Sequence, residues 1–172
     1  GLMNRATFEK TLTSQIEYAG QQTSNTKGVV MLIDIDQFQL INNSFGYAQG
    51  DSFLHHLSKE LKRFLPEQAE CSRLGNDEFA ILLPELMFAD AKSLAKSLRL
   101  YVQQVQYGGN GEIISVTASI GVLNLDGSQS SSEHVFNSLT QAVQIAKDKG
   151  RNRVQLYQSE DQALVQHARE MA

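Results

Sequence analysis

The stretch Arg73-Leu74-Gly75-Asn76-Asp77-Glu78-Phe79 constrains the fold more than any other part of this sequence. It predicts a tight β-hairpin between a strand near 70–74 and the apolar strand 78–83, because glycine and asparagine readily adopt the positive φ angles that two-residue hairpin turns require. Asp77 and Glu78 follow at once, so a rigid turn presents adjacent carboxylates that could hold a hard cation. The same dipeptide also occurs in ordinary surface turns, and the hairpin alone does not decide between these interpretations.

A second pair of acids follows a buried strand. The continuous apolar run 29–33 predicts that strand, and it leads into Asp34-Ile35-Asp36. Because side chains alternate along a strand, Asp34 and Asp36 are expected on the same side. If this strand neighbours the hairpin, the carboxylates converge and repel one another unless a cation lies between them. Mg²⁺ is bound by oxygen ligands, usually one or two carboxylates together with phosphate oxygens.

Lys147 and Arg151 flank Gly150 at the end of a predicted helix and could face the phosphates of a bound nucleotide. Each feature also has an ordinary explanation. Cations are favourable at any helix C-terminus, and Asp34 and Asp36 could be a solvated strand end. His55 and His56 are not expected to bind one metal ion together, because adjacent helical residues diverge by about 100°.

The order of predicted elements indicates an α+β fold with helices packed on a central sheet. Ser130 and Glu133 have capping-box spacing at the start of the last long helix. The segment 108–111 is expected to be a turn-rich break. Predicted helices cover residues 4–22, 38–45, 54–64, 91–105 and 130–150, and predicted strands cover 29–33, 70–74, 78–83, 114–120 (half-buried) and 153–157.

Composition limits the class of protein. The chain has 172 residues, enough for one domain with a substantial core. Its net charge of −4 argues against a broad nucleic-acid-binding surface. One cysteine excludes an internal disulfide and a zinc site built from cysteines. No apolar run approaches the roughly 18 residues of a membrane span, so no direct membrane contact is expected.

In combination, these motifs resemble the GGDEF domain family, the diguanylate cyclases of bacterial cyclic di-GMP signalling. Residues 75–79 stand on the signature Gly-Gly-Asp-Glu-Phe, with Asn76 in place of its second glycine. The resemblance covers nearly the whole chain. Its other motifs are residues 1–5, similar to Gly-Leu-x-Asn-Arg; residues 34–43, similar to Asp-x-Asp-x-Phe-Lys-x-Ile-Asn-Asp; residues 46–51, similar to Gly-His-x-x-Gly-Asp; and residues 119–121 and 146–154, which match the closing motifs.

The resemblance implies a fold and a domain organisation. The fold would be a five-stranded, mostly antiparallel sheet flanked by helices, like the palm of nucleotidyl cyclases. Residues 1–157 would form the GGDEF domain. Residues 158–172 would form a helical connector to a further domain, as in proteins where an EAL phosphodiesterase domain follows. The domain is expected to lie in the cytoplasm, with a sensor domain elsewhere in the parent protein.

The resemblance also implies a role for each matching residue. Asp34, the backbone carbonyl of Ile35 and Asp77 correspond to ligands of two catalytic Mg²⁺ ions, which Mn²⁺ could replace. Asp77 and Glu78 correspond to the acidic catalytic signature. The remaining matches would bind substrate: Asn42 and Asp51 on the guanine edge, Lys147 and Arg151 on the phosphates, and Phe38, Gly75 and Asn76 elsewhere around the nucleotide. The implied reaction condenses two GTP molecules into cyclic di-GMP, so two domains must face each other as a homodimer.

Several positions depart from the family pattern. Asn76 adds bulk where the family brings phosphate close to bare backbone, and Gln39 replaces a lysine that contacts phosphate. Asn43, Tyr47, Thr140 and Gln144 also differ from the usual residues. The inhibitory Arg-x-x-Asp motif is missing, because residues 66–69 read Pro-Glu-Gln-Ala. Two interpretations stay open: a working but slow cyclase, or a GTP-binding regulatory domain without turnover that controls an adjacent EAL domain.

Overall fold

The computed structural model describes residues 2–21, 27–75, 77–109 and 111–158. Within them, one five-stranded sheet lies between two layers of helices, as the sequence predicts. The helices are α1 Arg5–Gln21, α2 Phe38–Phe45, α3 Tyr47–Phe64, α4 Phe88–Gln104 and α5 Ser132–Asp148. The strands are β1 Val29–Ile35, β2 Glu70–Arg73, β3 Glu78–Leu83, β4 Tyr107–Gly109, β5 Glu112–Ile114, β6 Ala118–Asn124 and β7 Arg153–Leu156.

The main sheet has the order β2-β3-β1-β6-β7. Its pairs are antiparallel except β6 with β7, which is parallel. The prediction of a five-stranded, mostly antiparallel sheet is therefore confirmed.

Strand β1 lies at the centre of the sheet and is buried along its whole length. Because successive side chains point to opposite faces, Met31 and Ile33 pack in the hydrophobic cluster that contains α3 and α4. Val30 and Leu32 pack in the cluster that contains α1 and α5. Asp34, two residues after Leu32, is on the same face of the sheet as α1 and α5.

The predicted half-buried strand 114–120 is wrong. Ile114 ends β5, which pairs with β4 as a separate small hairpin, and the predicted break at 108–111 contains the turn of that hairpin. Strand β6 begins only at Ala118 and is buried on both faces, not half-buried. Ser119 contributes to the alternating polar pattern that predicted an exposed face. Its side chain is nevertheless buried, and its hydroxyl donates to the buried carboxylate of Asp36.

Two local predictions also need correction. The N-cap of α5 is Ser131, whose side chain accepts a hydrogen bond from the backbone N–H of His134, so the capping box predicted on Ser130 is not used. In the β2–β3 hairpin, Leu74 N donates to Glu78 O at 2.9 Å, which leaves three residues in the loop instead of two. Gly75 does not adopt a positive φ there. Asn76, the other half of that prediction, lies outside the described residues.

None of the helices in the described ranges is long and apolar enough to cross a membrane. The predicted connector 158–172 lies outside the described residues except for Gln158.

Candidate nucleotide and metal site

Asp34 and Glu78 lie opposite each other on the adjacent strands β1 and β3, at one end of the sheet. They are direct partners in the β1–β3 register, and side chains of directly opposed residues lie on the same face. That face is covered by α1 and α5. The convergence of the two acidic segments, predicted from sequence, is therefore present in the structure.

The hairpin loop is tied to the end of β1 through its backbone. Ile35 N donates to Asp77 O at 2.9 Å. The N–H and C=O of one residue point to the same side of a strand, so the carbonyl oxygen of Ile35 also faces the hairpin. The backbone of Asp77 is thus fixed beside Ile35, the residue that follows Asp34.

Lys147 joins the acidic cluster from the last turn of α5. Its Nζ lies 2.8 Å from Asp34 Oδ2, and both side chains are largely removed from water. Gly121 allows α5 to pack this close to the sheet, since a Cβ there would lie 3.0 Å from the Leu139 carbonyl oxygen. Lys147, which was predicted from the sequence to contact phosphates, forms an ion pair with Asp34 in this structure.

The electrostatics of the cluster favour an added cation. Burial raises the pKa of Asp34, Lys147 lowers it in part, and Asp77 and Asp36 raise it further. Burial also raises the pKa of Glu78, and Asp34 and Asp77 add to that effect. Nearby carboxylates and low solvent access both disfavour the ionised form. One lysine therefore does not fully compensate the acids gathered here.

The donor set suits Mg²⁺. No group of three or more His, Cys, Asp or Glu side chains is arranged to hold a metal ion among the described residues. Mg²⁺ does not need such a cage, because it is usually bound by one or two carboxylates plus substrate phosphates and keeps several waters. The opposed carboxylates of Asp34 and Glu78, with the Ile35 carbonyl at the same end of β1, are oxygen donors of this kind.

Asp36 has a structural role and is not part of the candidate site. Its carboxylate accepts hydrogen bonds from Thr117 Oγ1 at 2.7 Å, from Ser119 Oγ at 2.7 Å and from Asn152 N at 3.0 Å. Its oxygens are thus engaged by β6, by the segment before it and by the turn before β7. Local sequence groups Asp36 with Asp34 and does not reveal these partners, because they lie more than 80 residues away.

The predicted guanine-binding residues lie on α2 and α3. Phe38 is buried at the start of α2, and Asn42 is half-buried one turn later. Gly50 of α3 leaves room for Asn42, since a Cβ at Gly50 would overlap the side-chain oxygen of Asn42. Asp51 is the next residue on α3, and its carboxylate is 76% exposed.

Arg73 connects these residues to the hairpin and was missed as a site residue. Its Nη2 lies 3.5 Å from Asp51 Oδ1, and its Nε donates to Gly75 O at 3.1 Å. The one sequence signal was its position directly before the hairpin loop. Gly75 itself is exposed, with open space around it.

The remaining predicted positions lie on the rim of the site. Arg151 is exposed in the turn between α5 and β7. Gln39 is exposed on α2, and its Nε2 donates to Asn43 Oδ1 at 3.0 Å. The two departures on α2 therefore bond to each other and present no cation there.

The mixed sheet, with carboxylates at the end of its central strand and a lysine beside them, places this chain in the class of palm-like α+β domains. Within that class the chain belongs to the GGDEF family, because the family model described as "Diguanylate cyclase, GGDEF domain" matches residues 1–153.

Individual proteins agree with this assignment. The chain is 30% identical over 162 residues to the probable diguanylate cyclase DgcE of Escherichia coli, covering 94% of this chain and 14% of that protein. It is 31% identical over 156 residues to the diguanylate cyclase DgcP of Pseudomonas aeruginosa, covering 91% of this chain and 23% of that protein. The chain thus spans less than a quarter of the length of either relative.

Solved structures share the fold. The GGDEF domain of YfiN, also called TpbB, from P. aeruginosa superimposes with a TM-score of 0.83 at 29% identity, covering 93% of this chain and 99% of that domain. The active GGEEF domain of a diguanylate cyclase from Vibrio cholerae gives a TM-score of 0.77 at 27% identity, covering 93% of this chain and 100% of that chain.

Proposed function

We propose that this domain binds GTP with Mg²⁺ and condenses two GTP molecules into cyclic di-GMP, at a low rate. The observation that carries the proposal is the gathering of Asp34, Glu78, the Asp77 loop and Lys147 at one end of the sheet. It is supported by relatives that are named diguanylate cyclases. The domain boundary at residue 157, a connector to an EAL domain, a sensor domain and a cytoplasmic location belong to the same proposal.

Asp34, Asp77 and the Ile35 carbonyl would hold Mg²⁺, with Mn²⁺ as a substitute. The ions would supply activation of the 3′-hydroxyl and neutralisation of charge at the α-phosphate. Glu78 adds negative charge beside these ligands. Lys147, which contacts Asp34 here, is placed to donate to a phosphate that binds beside the same carboxylate.

Substrate selection would fall to α2 and α3. Asn42 and Asp51 would pair with the guanine edge, Phe38 would line the base, and Arg151 would contact phosphate at the rim. In each half-reaction a 3′-hydroxyl oxygen bonds to the α-phosphorus of the other GTP, and the bond to the departing pyrophosphate breaks. Because each domain holds one GTP, two copies must meet with their sites facing.

A second candidate function is a GTP-binding regulatory domain without turnover. The specific observation in its favour is the uncharged pair Gln39 and Asn43, which bond each other on the surface of α2. A lysine at position 39 would offer a charge-assisted hydrogen bond to phosphate, roughly twice as strong as a neutral one. Its absence would slow the chemistry more than it would weaken binding of the base.

The test is to incubate the purified protein at high concentration with GTP and Mg²⁺, and to quantify GTP binding, cyclic di-GMP and pyrophosphate. Product at any rate above that of Asp77→Asn supports the cyclase. Mg²⁺-dependent GTP binding without product supports the regulatory domain. Absence of both binding and product would refute the two proposals together.

A further inference from the structure

The turn between α5 and β7 has an unusual backbone. Gly150, Arg151 and Asn152 have φ angles of 118°, 64° and 49°. Three consecutive residues with positive φ include two that are not glycine, and such conformations persist only where the surrounding structure determines them. The turn is therefore held in place by contacts from outside it.

The first contact comes from the end of β1. The buried carboxylate of Asp36 accepts a hydrogen bond from the backbone N–H of Asn152 at 3.0 Å. The same carboxylate is fixed by the hydroxyls of Thr117 and Ser119. Asn152 is therefore attached through its backbone to a buried carboxylate that accepts two further hydrogen bonds.

The second contact comes from α4. Arg99 Nη1 donates to the side-chain oxygen of Asn152 at 2.8 Å. Helix α4 packs in the cluster on the opposite face of the sheet from α5. Asn152 is thus held from one side by β1 and from the other by α4.

A third hydrogen bond relates the turn to the site. Arg151 N donates to the carbonyl oxygen of Ala146 at 3.0 Å, so the turn closes directly onto the helical turn that carries Lys147. Arg151 lies between this bond and the doubly held Asn152. Its backbone is therefore held on both sides, while its side chain is exposed.

We propose that Arg99 and Asp36 are positioning residues that fix Asn152, and through it aim Arg151 at the phosphates of the nucleotide. The proposal rests on the proposed function, in which Arg151 contacts phosphate. Arg99 adds a charge-assisted hydrogen bond to the one side chain that follows Arg151, and such a bond is both stronger and more directional than a neutral one.

The decisive experiment is a double-mutant cycle on the affinity for GTP with Mg²⁺, with Arg99→Met and Arg151→Ala alone and combined. Losing one side-chain hydrogen bond corresponds to about a three- to tenfold weaker affinity, so we expect that change for Arg99→Met. We expect no further change when Arg99→Met is added to Arg151→Ala. Equal weakening in both backgrounds would overturn the proposal, because Arg99 would then act on the fold and not through Arg151.

A second measurement does not depend on nucleotide binding. Hydrogen exchange followed by mass spectrometry should show faster exchange of segment 149–153 in Arg99→Met, with the strands of the main sheet unchanged. Lys96→Met removes a charge from the same helix one turn earlier and serves as the control, with exchange equal to that of the wild type. Unchanged exchange in Arg99→Met would refute the positioning role. If segment 149–153 exchanges faster in Arg99→Met but the wild-type protein binds no GTP, the contact from Arg99 to the turn stands and the proposed function is refuted.

Discussion

Gly50→Ala is predicted to damage guanine selection while leaving the fold intact. Gly50 lies in α3 with no Cβ, and an added Cβ would overlap the side-chain oxygen of Asn42 and come within 3.2 Å of Phe38 Cζ. The Asn42 amide is the end of a flexible side chain, so it can rotate away. The predicted hydrogen bond from Asn42 to guanine is then lost.

The expected magnitudes separate binding from stability. Leaving one buried polar group unpaired costs about 1–3 kcal/mol, which is about fivefold to 150-fold in discrimination between GTP and ATP. Alanine is favoured over glycine within a helix by about 1 kcal/mol. Moving Asn42 off its preferred rotamer costs a similar amount, about 0.5–1.5 kcal/mol. The melting temperature should therefore change by less than about 4 °C.

The assay is competition of GTP and ATP for the purified domain with Mg²⁺, with thermal unfolding recorded in parallel. Gly20→Ala is the matched control, because that helical glycine in α1 has open space around its missing Cβ. It should keep the selectivity of the wild type. Asn42→Ala, which adds no bulk, should lose selectivity as Gly50→Ala does. Full selectivity in a folded Gly50→Ala protein would refute the assignment of Asn42.

Three further predictions follow from the site and the helices. Asp77→Ala should strongly weaken Mg²⁺-dependent GTP binding, and unchanged titration curves would remove Asp77 from the ligand set. The combined change Asn76→Gly and Gln39→Lys should raise cyclic di-GMP formation at saturating GTP at least about tenfold, since a charge-assisted hydrogen bond is worth about 1.5–3 kcal/mol; equal rates would show that neither departure limits the chemistry. The Tyr101 hydroxyl donates to the Glu60 carboxylate at 2.5 Å, and this hydrogen bond holds the pKa of Glu60 below its ordinary value. The hydrogen bond therefore stabilises the folded state fully above pH 4.5, and this stabilisation is lost as the pH falls through the lower pKa of Glu60 in the folded state. The difference in unfolding free energy between wild type and Tyr101→Phe, measured by urea unfolding, should accordingly narrow in acid.

Local patterns predicted the acidic end of the site, because each of its parts is encoded within a few residues. The apolar run before Asp34 predicts a strand at 29–33, which the structure extends to Ile35, and the Gly-Asn pair predicts a hairpin. Neighbouring carboxylates need only those two elements to be adjacent. The structure confirms that adjacency in the β1–β3 register.

Long-range contacts were not predictable in this way. Asp36 resembles a second ligand in sequence, but its partners come from residues 117, 119 and 152. Arg73 reaches Asp51 across 22 residues. The β4–β5 hairpin was missed because its strands have three residues each, too few to show a period. In each case the decisive information is which elements become neighbours, and no single segment carries it.

The topology explains why Lys147 meets the acids. Strand β6 runs antiparallel to β1, so it begins where β1 ends, with Ile35 opposite Ala118. Strand β7 is parallel to β6 and begins at the same end, with Arg153 beside Ser119. A parallel connection must cross back over the sheet, and α5 makes that crossing and finishes at this end. An antiparallel β7 would have left the α5–β7 turn at the opposite end, far from the hairpin. The parallel pairing of β7 with β6 therefore brings Lys147 to carboxylates more than 60 residues earlier in the chain.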